Sequence, residues 1–262
     1  SLPPVSEIIA GLQYTGVGPW ITLTAGRWGY GVGHLERREA VIVLDDALAA
    51  ETRLVSRYFI DHYLLNFLLH RDMAMLHASC VVTPAGGALA LIGAHGVGKS
   101  TTALRLAKAG WKFLADGMLL ILPGDDGRWR LAGYPVGEVK LRDDVLALFP
   151  HLRGPFAREH DKTVIDLRSA QPADILTDVV CPSEICLCFV ERSPDRQSRV
   201  EAAQADFALE QLRANSVFWN EPAALADNTA ILRQLAGSAR LLRVSLGDDI
   251  GQLFTLLAGA TE

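Results

Sequence analysis

"GAHGVGKST", residues 93–101, follows the apolar run "ALALI" (88–92) and opens into "TALRLAKAG" (102–110). Gly93, Gly98, Lys99 and Ser100 fit the pattern G-x-x-x-x-G-K-[ST]. That pattern needs a strand before it and a helix after it, and both are readable here. Glycines let the backbone curl until successive N–H groups point at anionic oxygens, and the helix N-terminus adds a field that favours negative charge. The Lys99 ammonium can reach the β- and γ-oxygens of a polyphosphate, and the Ser100 hydroxyl can ligate Mg²⁺. The candidate cradle is therefore Gly93, Ala94, His95, Gly96, Val97, Gly98, Lys99, Ser100 and Thr101, with His95 at a variable, exposed position.

Working outward, residues 73–98 carry no Lys, Arg, Asp or Glu before Lys99. The turn chemistry of "TPAGG" (83–87) interrupts that run, so two strands joined by a hairpin fit better than a membrane helix. Strands are also expected at "WKFLAD" (111–116), "MLLILP" (118–123), "EICLCFVE" (184–191) and "RLLRVSL" (240–246). "GDDG" (124–127) reads as a hairpin turn, and "RDDVLALF" (142–149) as a short helix. Helices are expected over "DFALEQLRAN" (206–215), over "AALADNTAILRQLAG" (223–237) and at the end of the chain. The spacing predicts a strand–loop–helix core inside an α/β domain.

Residues 14–46 alternate short apolar runs with glycine and charge, which predicts a small β-rich region. Its "GRWGYGVGH" (26–34) runs into another strand rather than a helix, so it reads as a glycine-rich turn or strand crossing, not a dinucleotide fingerprint. From Ala49 to His70, Leu54, Phe59, Tyr63, Leu64, Phe67 and Leu68 recur at helical spacing and predict one long amphipathic helix. The expected organisation is a β-rich region with a long helix over 1–70 and a nucleotide-binding domain over 71–262.

The formal net charge of −5 argues against holding nucleic acid through a general basic surface. The N-terminal residues lack a basic stretch followed by an apolar run, so no secretory signal is read there. Cys80, Cys181, Cys186 and Cys188 imply no disulfide framework and no zinc spacing; a reducing cytoplasm is the expected compartment. Cys186 and Cys188 share one face of a strand as small core residues. Asp116, seventeen positions after Lys99, ends an apolar strand. There a carboxylate can hold Mg²⁺ or take a proton from an acceptor hydroxyl.

The stretch "LHASCV…GALALIGAHGVGKSTTALRLAKAGWKFLADGMLLI" (76–121) resembles the catalytic core of HPr kinase/phosphorylase and its relatives in the order and spacing of its parts. The resemblance implies a mixed α/β fold akin to phosphoenolpyruvate carboxykinase. It implies that Gly93 to Thr101 hold ATP and Mg²⁺, that Asp116 is the general base and that His77 sits beside the reacting phosphate. Glu138 occupies the place of a glutamate near the metal. Lys140, Arg142, Arg158 and Lys162 are candidate contacts to nucleotide or acceptor, or else solvated surface charge. The chain departs from the family pattern at Gly117, where a second aspartate is usual, and at Thr101, where glutamate is common. No arginine-bearing loop of the kind tied to phosphorolysis is apparent.

The resulting expectation is an ATP-dependent kinase acting on a serine-type hydroxyl of a peptide or protein. Chains of this size resemble kinases of peptide-modification clusters, including lasso-peptide ones. The expectation includes no nucleic-acid or membrane partner and leaves room for a homo-oligomer. A nucleotide-binding regulatory module and a plain ATPase or GTPase stand as alternatives.

Overall fold

The structure, a computed structural model, describes residues 2–69, 73–152, 156–159, 161–194, 196–216 and 222–261. The chain divides into two compact units, Ser1–Arg71 and Asp72–Glu262.

In the first unit, β1 (Gln13–Val17), β2 (Trp20–Thr24), β3 (Gly29–His34) and β4 (Glu39–Leu44) form an antiparallel sheet in that order. "GRWGYGVGH" is a 3₁₀ turn over Gly26–Trp28 followed by β3. Gly29, Gly31 and Gly33 take every inward position of β3, because side chains alternate along a strand. The reason for glycine is Tyr63: a Cβ on Gly31 or Gly33 would overlap its ring, at 2.6 Å in the case of Gly33. The trough left by the missing side chains seats that ring, and Leu23, Leu48, Leu54 and Phe59 complete the core.

The expected long helix is present from Thr52 to Leu69, three residues later at its start than expected and with a π-helical stretch inside it. Helical turns cover Asp46–Ala49 and Thr52–Leu54, a π-helix covers Val55–Ile60, and an α-helix covers Asp61–Leu69. The expected end at His70 lies outside the described residues. A π-turn bonds i to i+5 and so rotates everything after it relative to an α-helical count. Leu54, Phe59 and Tyr63 face the core as expected, whereas Leu64 is 40% exposed and Leu65 and Leu69 are buried instead.

The second unit contains β5 (Ala74–Leu76), β6 (Ala78–Val82), β7 (Ala88–Ile92), β8 (Lys112–Asp116), β9 (Met118–Pro123), β10 (Trp129–Tyr134), β11 (Glu138–Leu141), β12 (Ala157–Glu159), β13 (Lys162–Asp166), β14 (Ile185–Arg192), β15 (Arg199–Ala202) and β16 (Arg240–Leu246). Among the described residues, a six-stranded sheet runs β15-β16-β14-β7-β6-β8, beside three-stranded sheets β10-β9-β5 and β11-β13-β12. The large sheet is mixed: β7, β14 and β16 are mutually parallel, while β6 is antiparallel to both β7 and β8. The architecture is thus mixed α/β.

"AMLHASCVV" (74–82), the first of the two strands expected around "TPAGG", divides at His77. β5 pairs with β9 in one sheet and β6 enters the other. The His77 N–H bonds to the Asn215 carbonyl rather than to a strand neighbour, so the chain changes sheets there. One side of the large sheet buries Leu89, Leu91, Cys186, Cys188 and the apolar residues of the helix Lys99–Lys108. The other buries Cys80, Ala90, Ile92 and Leu187 with the helices Ala205–Ala214 and Pro222–Ser238. Among the described residues, no helix is long and apolar enough to cross a membrane.

Candidate functional site

Strand direction decides which residues meet. Ala78 pairs with Ile92 and Ser79 with Asp116, so the start of β6 lies level with the carboxyl ends of β7 and β8. Phe189 pairs with Ile92 in parallel, which brings the end of β14 to the same edge. In open α/β sheets that edge is where ligands bind, because loops and helix N-termini open there. His77, Ser79, the glycine loop, Asp116 and Arg192 all belong to it.

The loop's conformation depends on its glycines at two positions. Gly93 has φ +155°, and a Cβ there would stand 2.4 Å from the Val190 carbonyl oxygen, so the loop begins flat against β14. Gly98 caps the helix Lys99–Lys108 at φ +118°, a left-handed geometry that L side chains rarely adopt. The free N–H groups of that helix's first turn open at the loop.

Lys99 is buried at 6% exposure and turns back on its own loop. Its ammonium donates to the Gly93 carbonyl at 2.6 Å and the Ala94 carbonyl at 3.0 Å. Desolvation lowers its pKa, the Lys162 charge lowers it further, and Asp116 opposes both. Asp116 shows the opposite shift. Desolvation raises its pKa above 3.8, against donors from Ser79, Ser100 and the Lys140 backbone and the charge of Lys99. Ser79 donates to Asp116 Oδ1 at 2.5 Å, and Ser100 donates to the same oxygen at 2.7 Å. A cation and a carboxylate whose environments each favour the neutral form stand together, and perturbed groups of this kind cluster at functional sites.

His77 Nδ1 lies 2.9 Å from the Gly117 carbonyl, which can only accept, so Nδ1 carries the proton. Its pKa is depressed to about 4 by burial first, then by the charges of Lys99, His95 and Lys162. The imidazole is therefore neutral at pH 7, with Nε2 an acceptor. The ring of exposed His95 packs on it, with centroids 4.4 Å apart. Gly117, where a second aspartate was expected by family pattern, has φ +96°. The left-handed turn that aims its carbonyl at His77 favours glycine there.

The other candidates sort by contact. Lys162, at the start of β13, is close enough for its charge to act on both Lys99 and His77. The Lys140 backbone N–H helps to hold the Asp116 pKa down, but the Lys140 ammonium bonds Glu159 at 2.5 Å and lies 3.7 Å from Glu138. Among the described residues no three His, Cys, Asp or Glu side chains converge at metal-binding distance, so Glu138 joins Asp116 in no such cluster. Arg142 pairs with Asp144 and Arg158 with Asp143, in exposed ion pairs of little energetic weight. Both arginines thus carry exposed ion pairs, and Arg158 also bonds the Thr163 hydroxyl. Thr101 lies half-buried in the first turn of the loop's helix.

Sequence reasoning missed Ser79, fully buried, and Arg192. Ser79 carried one signal, its place two residues after His77 and hence on the same face of an extended chain. Arg192 carried only its position just past "CFVE".

No protein-family model matches this chain, and no curated protein matches it. Among solved structures it is similar to the HPr(Ser) kinase/phosphatase from Coxiella burnetii, at 10% sequence identity over 71% of this chain and 88% of that one, with a TM-score of 0.39. A likeness that distant assigns no activity to this chain.

Proposed function

We propose that the second unit is an ATP-dependent kinase that transfers a γ-phosphate to a serine-type hydroxyl. The observation that carries this reading is the Asp116 carboxylate, bonded to Ser100 of the glycine loop and placed at the same sheet edge as Lys99 and neutral His77. In this reading the loop amides and Lys99 bind the phosphates, exchanging the Gly93 and Ala94 carbonyls for phosphate oxygens. Asp116 accepts the proton of the acceptor hydroxyl as its oxygen bonds to the γ-phosphorus, and the bond to the bridging oxygen breaks to release ADP. His77, pinned through Nδ1, presents Nε2 as a fixed acceptor that orients the hydroxyl or a phosphate-bound proton.

Ser100 and Asp116 are the residues that would hold Mg²⁺. They are hard oxygen donors on one short contact, which fits an ion that takes one or two carboxylates and completes its shell with phosphate and water. When bound, it would neutralise charge on the β- and γ-oxygens. The favoured acceptor, a serine on a peptide such as a lasso-type precursor or on a protein, comes from the resemblance of residues 76–121 alone. The Ser100–Asp116 contact also suits a plain ATPase or GTPase, and the lone carboxylate beside Gly117 suits a nucleotide-binding module.

Incubation with labelled ATP, Mg²⁺ and serine-bearing peptides separates these readings. A kinase labels a peptide, and Lys99→Ala abolishes that label. Free phosphate with no labelled acceptor would replace the kinase with an ATPase, and binding without turnover would replace it with a module.

A further inference from the structure

Arg192 ends β14, three residues beyond the Phe189–Ile92 pair, and so stands level with the glycine loop. A Cβ placed on Gly98 would lie 3.9 Å from Arg192 Nη2 and 3.0 Å from Leu246 Cδ1. The guanidinium thus flanks the residue that caps the helix Lys99–Lys108, on the β14 side of the loop. Lys99, by contrast, approaches from within the loop through Gly93 and Ala94.

The neighbouring charges explain why Arg192 is left over. Glu191, the adjacent residue on the opposite face of β14, accepts two bonds from Arg243 at 3.0 and 2.9 Å and a third from Ser245. Arg196, in the loop that follows, is bonded to Asp248. Asp249 is occupied by the backbone and hydroxyl of Ser198. Among the described residues Arg192 forms no ion pair, and it is exposed. An unpaired, planar, five-donor cation at the mouth of a loop lined with N–H groups is arranged to receive phosphate oxygens.

We infer that Arg192 is a nucleotide-binding residue that contacts the polyphosphate from the β14 side, opposite Lys99. The inference rests on the nucleotide reading of the loop and adds to it a cation that the motif does not contain. Because the side chain is exposed and forms no hydrogen bond or ion pair among the described residues, its removal should leave folding intact.

Calorimetric titration of the full chain with Mg·ATP and with inorganic tripolyphosphate tests this, using wild type, Arg192→Ala and Arg192→Lys. Expected for Arg192→Ala is a loss of about 10- to 100-fold in affinity for both ligands, the range for one charge-assisted contact. Arg192→Lys should fall between, since a point charge replaces a fork. Affinity unchanged within twofold in Arg192→Ala, or weakened for ATP but not for tripolyphosphate, would overturn the inference. A wild-type chain that binds neither ligand would defeat the nucleotide reading itself and this assignment with it. That outcome is told apart by flat titrations in all three proteins.

Discussion

Replacing Asp116 by asparagine removes a charge and a proton acceptor while keeping the shape. Both serine hydroxyls donate to Oδ1, at 2.5 and 2.7 Å, and an asparagine Oδ1 can accept both. What disappears is the group that takes the acceptor's proton. A positioned general base contributes about 10²–10⁴-fold, or about 2.7–5.4 kcal/mol at 1.36 kcal/mol per tenfold. Single-turnover transfer from labelled ATP should fall by that factor, with ATP affinity held within about tenfold because Lys99 and the loop amides remain. In the wild type, transfer should fall as the pH drops through the Asp116 pKa, which desolvation has raised above 3.8.

Stability should respond in the opposite sense. The folded state holds the Asp116 proton to a higher pH than the unfolded chain does, so stability falls as pH rises from 3.8 through the raised folded value. Asparagine does not titrate, so Asp116→Asn should melt at or above the wild-type temperature at pH 7, with the difference shrinking on acidification. Transfer at the wild-type rate would refute the base assignment. A stability advantage that grew as the pH fell would refute the desolvation argument.

Two other substitutions test the backbone of the site. Gly93→Ala drives a Cβ to 2.4 Å from the Val190 carbonyl; the Cβ is fixed by its own backbone and its partner is backbone, so neither can rotate away. A loss of about 2 kcal/mol or more in urea denaturation is expected, and an unchanged midpoint would contradict the close approach. Gly117→Asp meets nothing within 4 Å but must adopt φ +96°. It should cost about 1–2 kcal/mol and leave transfer no faster, whereas a stable, faster variant would show that the turn tolerates a second carboxylate.

Local patterns were legible wherever physics is local. The glycine loop declared itself because the strand before it, the helix after it and the left-handed glycines between are properties of consecutive residues. Asp116 was found because it ends an apolar run, and Arg142 and Arg158 were left open because exposed charge carries no periodic signal. Along the helix over 49–70, Leu54, Phe59 and Tyr63 were read on the core face, whereas the π-helical stretch over Val55–Ile60 left no signal in the apolar spacing.

The sequence by itself determined a phosphate-sized loop, its lysine and serine, and an acid at a nearby strand end. Only the tertiary structure decided which residues surround them. Ser79 reaches Asp116 because β6 runs antiparallel between β7 and β8, and His77 points at the Gly117 carbonyl because the chain changes sheets at that residue. Arg192 stands beside Gly98 because β14 is parallel to β7, although the two residues are far apart along the chain. Strand order, direction and register are long-range choices made by burial on both faces of a sheet, and no short window of sequence contains them.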